Sequence, residues 1–314
     1  MRKLTRPLAG LIILACFILL TASIRAQEPP KSDKVPVTTL ITVLGPKFSA
    51  PPALGRADAI VRTGDHREDI TGWVPAQGTK ATLQLAILID DGATDFGVHL
   101  DEVRHFIQSQ PKSTNVGVFY ASMGTTQPIA PFSADHDAVA QKVRITFGHG
   151  SSSTSIYLSL IDVLRKLQHL PGRREILLIG DGHDRLRGDL PESPDLDRAM
   201  DTAVKLNVVV HTLYVHVGRL NSESFDLTLA QGNLAHLAAE TGGQSFFQGL
   251  NTPVSFTPFL DQLDMALHNQ YFLTFTTARS NKPKGEFRGF KVTTEQRNAQ
   301  ITAPDRVFVP GAGK

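Results

Sequence analysis

The chain has 314 residues, of which 41% are hydrophobic and 20% are charged. This length is enough to bury the core of one large domain, or of one domain with a smaller companion. A single cysteine in the whole chain excludes a fold held together by disulfides.

The N-terminus has the pattern of a secretory signal peptide. Arg2, Lys3 and Arg6 precede an apolar run over residues 8–22, and a polar, proline-rich stretch follows. We therefore expect residues 1–26 to be removed on export to the periplasm or the medium, and residues 27–36 to form a linker. An uncleaved membrane anchor is the alternative. Removal of residues 1–26 leaves 28 basic and 30 acidic side chains, a formal charge of −2. This slightly negative charge gives no reason to expect binding to nucleic acid.

The segment 37–80 has the pattern of short antiparallel strands. Residues 37–44 (VTTLITVL) predict a strand, and residues 57–74 predict a hairpin that turns at Gly64 and Asp65.

The pattern changes over the segment 81–270, where apolar strands alternate with amphipathic helices. We predict strands at residues 83–89, 115–122, 127–132, 174–182, 207–215 and 244–248. We predict helices at residues 98–110, 135–143, 158–167, 193–206, 232–243 and 255–270. This alternation is typical of an α/β domain with a doubly wound, mostly parallel sheet that is covered on both faces.

The segment 271–314 returns to short alternating strands, at residues 271–278, 287–294, 299–303 and 306–310. The simplest arrangement packs these strands with those of segment 37–80 as one small β-rich module. The α/β domain is then an insertion in that module.

Three loops of the α/β domain are rich in oxygen ligands. The first loop follows the strand 83–89 and contains Asp90, Asp91 and Thr94. The second loop contains Ser153, Thr154 and Ser155. The third loop is at the end of the strand 174–182 and contains Asp181 and Asp184. Ligands of doubly wound sheets bind beyond the carboxyl ends of the strands, where the strand order reverses. Carboxylates and hydroxyls, without cysteine or a close histidine pair, favour a hard cation such as Mg²⁺.

The order of these residues resembles the metal-ion-dependent adhesion site of the von Willebrand factor A (VWA) domain, which uses a D-x-S-x-S loop, a Thr and an Asp. The resemblance extends to residues 237–247 (LAAETGGQSFF) and 266–276 (ALHNQYFLTFT), and over roughly residues 50–309 the chain is similar to exported bacterial proteins called VWFA-related. It implies that Asp90, Thr94, Thr154 and Asp181 hold Mg²⁺, with one open position for a carboxylate of a partner protein. Gly92 departs from the family pattern, because the family has a serine there, so the site is degenerate.

The same residues could also have purely structural roles. Asp90 and Thr94 could cap the next helix, and Thr154 could belong to an ordinary helix-start loop. Asp91 could replace the missing ligand or face solvent, whereas we expect His183 and Asp184 to be solvated loop residues.

The sequence gives little support to an enzyme. The run GDGHD at residues 180–184 is similar to one motif of binuclear metallophosphoesterases, but their Asp-x-His and Asn-His-Asp/Glu motifs are missing. A serine hydrolase would need G-x-S-x-G after a strand, and a nucleotide-binding protein would need a P-loop; neither occurs. We expect an exported protein- or surface-interaction module without catalytic residues. A metal-independent envelope scaffold is the alternative, and a metal-dependent phosphoesterase is a third hypothesis with little support.

Overall fold

Two β-sheets form the framework of the protein. The structure is a computed structural model, and it describes residues 34–148, 155–184, 186, 193–217 and 224–312. The predicted signal peptide, residues 27–33 of the predicted linker, and Ser153 and Thr154 lie outside the described residues. Within the part of the chain that is described, no helix is long and apolar enough to cross a membrane.

The first sheet has six strands in the order β6-β5-β4-β7-β8-β9. Its strands are β4 (Leu83–Asp90), β5 (Thr114–Ser122), β6 (Thr125–Ser133), β7 (Arg173–Gly180), β8 (Val209–Tyr214) and β9 (Ser245–Phe246). All neighbouring pairs are parallel except β5 and β6, which form an antiparallel hairpin. The predicted fold class, a doubly wound and mostly parallel sheet, is confirmed.

Within the described residues, six α-helices cover the two faces of this sheet. They are α1 (Leu100–Ser109), α2 (His136–Lys142), α3 (Ile156–Leu167), α4 (Pro194–Leu206), α5 (Ser224–Thr241) and α6 (Thr257–His268). Successive side chains of a strand point to opposite faces. Accordingly, Ile87 of β4 packs in a core with α1, α2 and α6, whereas Leu88 packs in a second core with α3, α4 and α5. Burial on both faces explains why β4 is apolar nearly throughout.

The second sheet has seven strands in the order β12-β1-β10-β3-β2-β11-β13. Its strands are β1 (Lys34–Leu44), β2 (Ala59–Thr63), β3 (His66–Pro75), β10 (Gln270–Ala278), β11 (Glu286–Thr294), β12 (Gln300–Thr302) and β13 (Arg306–Val309). The pairs β2–β3, β3–β10, β2–β11, β11–β13 and β1–β12 are antiparallel. The N- and C-terminal strands therefore form one β module, as predicted.

A buried polar cluster connects the two sheets where α6 passes into β10. Arg173, the first residue of β7, donates to the carbonyl oxygen of Leu267 at 2.7 Å and also bonds the side chain of Gln270. Glu175 accepts from Nε2 of His211 at 2.9 Å and from the amide of Gln270 at 3.0 Å. Because the main-chain N–H of Gln244 donates to Nδ1 of His211, the ring proton lies on Nε2 and points to Glu175.

Most predicted elements are found within a few residues of their predicted positions, and the hairpin turns at Gly64 as expected. Two elements differ more clearly. Strand β1 begins at Lys34, inside the predicted linker, and α5 begins at Ser224 rather than at residue 232. In the first two turns of α5 the apolar residues of the sequence do not recur at helical spacing, so the sequence pattern did not predict these turns.

Candidate functional site

Two of the predicted ligands, Asp90 and Asp181, lie at the ends of the two strands between which the strand order reverses. Strand β4 has β5 on one side and β7 on the other, and Ile89 of β4 pairs with Ile179 of β7. Asp90 is the last residue of β4, and Asp181 directly follows β7. Gly180 lies so close that a Cβ placed on it would be 3.4 Å from the Cβ of Asp90. Asp90 and Asp181 therefore end neighbouring strands at one edge, in the crevice where doubly wound sheets bind ligands.

The Asp90 carboxylate is fixed by its own loop. Its Oδ1 accepts a hydrogen bond from the main-chain N–H of Gly92 at 2.9 Å. A 3₁₀ helix, Thr94–His99, follows, and its N-cap residue Ala93 makes no side-chain cap bond. Thr94 is exposed, and its Oγ1 lies 3.5 Å from Oδ1 of Asp95. Thus Asp90 holds the turn, and the N-cap of the 3₁₀ helix is Ala93 rather than Asp90 or Thr94.

Asp91 does not face solvent and is not placed as a substitute ligand. It is 7% exposed, and its two carboxylate oxygens accept from the guanidinium of Arg144 at 2.8 and 3.1 Å. Its Oδ1 also accepts from the main-chain N–H of Phe147 at 3.2 Å. Hydrogen bonding to Asp91 raises the pKa of Arg144. The bidentate pair neutralises Asp91, so it adds no negative charge to the crevice.

The guanidinium of Arg144 lies between two aromatic rings. Its central carbon is 4.1 Å from the ring centre of Tyr120 and 4.0 Å from that of Phe147. The Tyr120 hydroxyl donates to the carbonyl oxygen of Arg144 at 2.5 Å and accepts from its N–H at 3.0 Å. Burial raises the pKa of Tyr120 to about 12, so this donor keeps its proton. The stack anchors residues 144–148 against the Asp90 loop.

The loop after β7 is buried rather than solvated. Asp181 is 1% exposed, His183 9% and Asp184 5%, so the expectation of solvated His183 and Asp184 is wrong. Gly182 has φ +80°, and a Cβ there would meet the carbonyl oxygen of Ala230 in α5 at 2.5 Å. The loop is therefore pressed under α5, a contact that a turn motif alone does not reveal.

Tyr157 connects this loop to α3. Its hydroxyl donates to the carbonyl oxygen of Gly182 at 2.6 Å. Burial, together with the negative charges of Asp181 and Asp184, raises the pKa of Tyr157.

Asp184 uses one carboxylate oxygen and leaves the other without a partner. Oδ2 accepts from the hydroxyl of Ser193 at 2.6 Å, and that hydroxyl accepts the N–H of Leu196 at 3.2 Å as the N-cap of α4. Among the described residues, Oδ1 is buried and makes no hydrogen bond, and the same holds for the hydroxyl of Ser155, whose backbone forms a β-bridge with Asp184. Buried polar atoms of this kind normally bind a water molecule or a ligand.

The donor chemistry of the crevice fits a hard cation. The structure brings together Asp90 and Asp181 and places Thr94 on the Asp90 loop. Among the described residues, no group of three or more His, Cys, Asp or Glu side chains is arranged to hold a metal. Mg²⁺ does not require such a group, since it is commonly held by one or two carboxylates and keeps several waters.

Exposed apolar side chains surround the Asp90 loop. Val98 is 81% exposed, Ile145 61% and Phe147 61%. The two segments touch, because a Cβ on Gly97 would be 3.7 Å from Cγ2 of Ile145. We call Val98, Ile145 and Phe147 the apolar rim. Sequence reasoning missed the rim and Arg144, because no local pattern links the Asp90 loop with Arg144, Ile145 and Phe147, which follow Asp91 by 53 residues or more.

Comparison with protein-family models and with curated proteins finds no match for the sequence. Among solved structures, the chain is similar to the N-terminal domain of TFIIH p34 (12% identity, 59% of this chain and 98% of that chain, TM-score 0.38). It is also similar to the SpRpn10 VWA domain (13% identity, 59% and 97%, TM-score 0.38). A third similar structure holds three N-terminal domains of the type V pili tip protein Mfa5 from Porphyromonas gingivalis (10% identity, 87% and 66%, TM-score 0.42). All three TM-scores lie below 0.5, so the fold assignment rests on the strand order of the chain itself.

Proposed function

We propose that this chain is an exported protein- or surface-interaction module, and that its binding face is the edge of the six-stranded sheet formed by Asp90, Asp181 and the apolar rim. The observation that carries the proposal is the exposure of Val98, Ile145 and Phe147 beside the Asp90 loop. Neighbouring exposed apolar side chains at the mouth of a crevice are typical of interaction sites. Export rests on the basic and apolar pattern of residues 2–25.

In this proposal a divalent cation, Mg²⁺, completes the face. Asp90 and Asp181 would hold it, with the hydroxyls of Thr94 and Thr154. The cation would supply the positive charge that a carboxylate of the partner protein needs, in a crevice whose own side chains are acidic. The apolar rim would contact the apolar side chains next to that carboxylate, so the face combines charge recognition with burial of apolar surface. No catalytic residue is proposed.

A metal-independent scaffold is the second candidate. The Asp91–Arg144 pair favours it, since this pair shapes the loop without any ion. On that account the apolar rim binds the partner alone, and removal of divalent cations leaves binding unchanged.

A capture experiment separates these accounts and tests both. Tagged protein is incubated with a cell-envelope extract, and the proteins retained by the wild type are compared with those retained by the triple variant V98S/I145S/F147S. The matched control is Val74→Ser, which removes a 43% exposed apolar side chain from the other sheet. We expect a partner that the control retains and the triple variant loses, with direct binding of the purified partner confirmed by calorimetry. Equal retention by the triple variant would disprove the proposed face, and sensitivity of binding to EDTA decides between the cation account and the scaffold account.

A further inference from the structure

We infer that Asp184 and Ser155, neither of which belongs to the adhesion-site motif, complete the cation site by binding water of the cation's hydration shell. This inference rests on the proposed cation site between Asp90 and Asp181. It assigns the ligand class, a hydrated divalent cation, to two side-chain atoms that the fold leaves without a partner.

The two atoms are buried, and their residues are paired through the backbone. Ser155 is 1% exposed and Asp184 is 5% exposed, and the two residues form an antiparallel β-bridge. Within the described part of the chain, neither the Ser155 hydroxyl nor Oδ1 of Asp184 makes a hydrogen bond. A buried carboxylate oxygen that meets neither a donor nor a cation costs free energy, and native proteins rarely leave one so.

The pair lies on the loop that carries Asp181. Asp184 follows Asp181 by three residues, and the hydroxyl of Tyr157 in the first turn of α3 donates to the carbonyl oxygen of Gly182, between the two aspartates, at 2.6 Å. Oδ2 of Asp184 accepts a hydrogen bond from the Ser193 hydroxyl at 2.6 Å. This bond holds the carboxylate in place, and Oδ1 can then accept from another donor. A fixed acceptor next to a hydroxyl is suited to bind a metal-bound water, which donates two hydrogen bonds.

This arrangement also explains how the site tolerates Gly92. The family serine that Gly92 replaces would contribute a hydroxyl ligand. Mg²⁺ keeps waters where protein ligands are missing, and outer oxygen atoms that bind those waters hold the ion in place of the lost ligand.

The test measures Mn²⁺ binding by calorimetry and thermal unfolding with and without Mn²⁺, using the full chain after EDTA treatment. Asp184→Asn keeps the shape and an acceptor for Ser193, and Ser155→Ala removes only the hydroxyl. We expect each variant to bind Mn²⁺ more weakly, by roughly 10–100-fold, the usual effect of losing an outer partner of a metal site. Without Mn²⁺, Asp184→Asn should unfold at the same temperature as the wild type or higher, because it replaces a buried carboxylate that has one unpartnered oxygen with a neutral amide. A variant that only breaks structure would instead lose stability in both conditions.

Ser193→Ala is the matched control, because it removes the bond to Oδ2 of Asp184 and the N-cap of α4 but leaves Oδ1 and Ser155 in place. It should lower the unfolding temperature, and it should weaken Mn²⁺ binding less than Asp184→Asn does, because Oδ1 itself is still present. If Asp184→Asn and Ser155→Ala bind Mn²⁺ like the wild type while Asp181→Ala does not, the inference is wrong and the proposed cation site stands. If the wild type fails to bind Mn²⁺, or Asp181→Ala binds it equally well, the proposed cation site itself is wrong and this inference fails with it.

Discussion

Arg144 holds both carboxylate oxygens of Asp91, at 2.8 and 3.1 Å, while its guanidinium lies between the rings of Tyr120 and Phe147. This relationship separates two neighbouring aspartates that look alike in sequence. Asp91 is neutralised and structural, whereas Asp90 turns toward the crevice between β4 and β7.

The first prediction concerns Asp91→Ala. Loss of this carboxylate leaves Arg144 without its partner and releases the N–H of Phe147, so the free energy of unfolding should fall by about 2 kcal/mol. This is less than the 3–5 kcal/mol typical of a fully buried pair, because the Arg144 side chain is 25% exposed. Urea unfolding measures the loss, which should be the same with and without Mn²⁺. Asp101→Ala, which removes a 94% exposed partner of Arg104, should change stability by less than about 0.5 kcal/mol. Loss of Mn²⁺ binding in Asp91→Ala without loss of stability would contradict this assignment.

The second prediction concerns the turn after Asp181. Gly182→Ala should destabilise the protein by about 3 kcal/mol, because φ is +80° and the new Cβ meets the Ala230 carbonyl oxygen at 2.5 Å. Gly64→Ala is the control, since its φ is +56° but nothing lies within 4 Å of the new Cβ; it should cost only about 1 kcal/mol. Denaturant unfolding of both variants gives the difference. Equal losses would mean that α5 does not press on the Asp181 loop.

The third prediction concerns pH. Partial burial alone would raise the pKa of Glu102, but hydrogen bonds from Ser255, Thr257 and His99 prevail and lower it from 4.5 to about 2. Since the folded pKa lies below the unfolded value, this carboxylate adds stability that is fully present above about pH 4.5 and is lost as pH falls toward 2. Glu102 accepts the N–H of Thr257 at the first turn of α6, so the loss loosens that helix end.

Unfolding by urea between pH 5 and pH 2.5 tests this prediction. Glu102→Gln should be less stable than the wild type at pH 5, and the two should converge as pH falls. Asp101→Asn, one residue earlier and exposed, should keep the acid dependence of the wild type. Parallel curves for Glu102→Gln and the wild type would refute the assigned pKa direction.

The fourth prediction concerns the buried cluster that connects the two sheets. Glu175→Ala leaves Arg173 and His211 without their shared partner in the interior, so it should cost about 3–5 kcal/mol. Glu175→Gln keeps the shape and can still accept from His211, and it should cost less. Lys166→Ala, which breaks an exposed pair on α3, should cost no more than about 0.5 kcal/mol. A loss below about 1 kcal/mol for Glu175→Ala would show that the cluster contributes little to joining the sheets.

Much of the fold could be predicted because its signals are local. Neighbouring residues alone predict three of its features: the apolar run of β4, the helical spacing of α3 and the start of α4 at Ser193 and Pro194. The sequence also predicted that Asp90 and Asp181 lie at the same edge of the sheet, because parallel strands bring their carboxyl ends to one edge.

The rest of the site depends on contacts between distant positions. The Arg144 partner of Asp91 is 53 residues away, and α5, which buries the Asp181 loop, contacts it through Gly182. Burial of His183 and Asp184 comes from that packing, so residue type alone suggested solvated side chains.

The most direct measurement of the central claim is calorimetric titration of the protein with Mg²⁺ and Mn²⁺, beside Asp181→Ala and Gly92→Ser. The account predicts binding by the wild type, none by Asp181→Ala, and binding by Gly92→Ser that is tighter on the order of tenfold, because the serine restores an oxygen ligand. No binding by the wild type, or equal binding by Asp181→Ala, would contradict the cation site and leave the apolar rim as the binding face of a metal-independent scaffold.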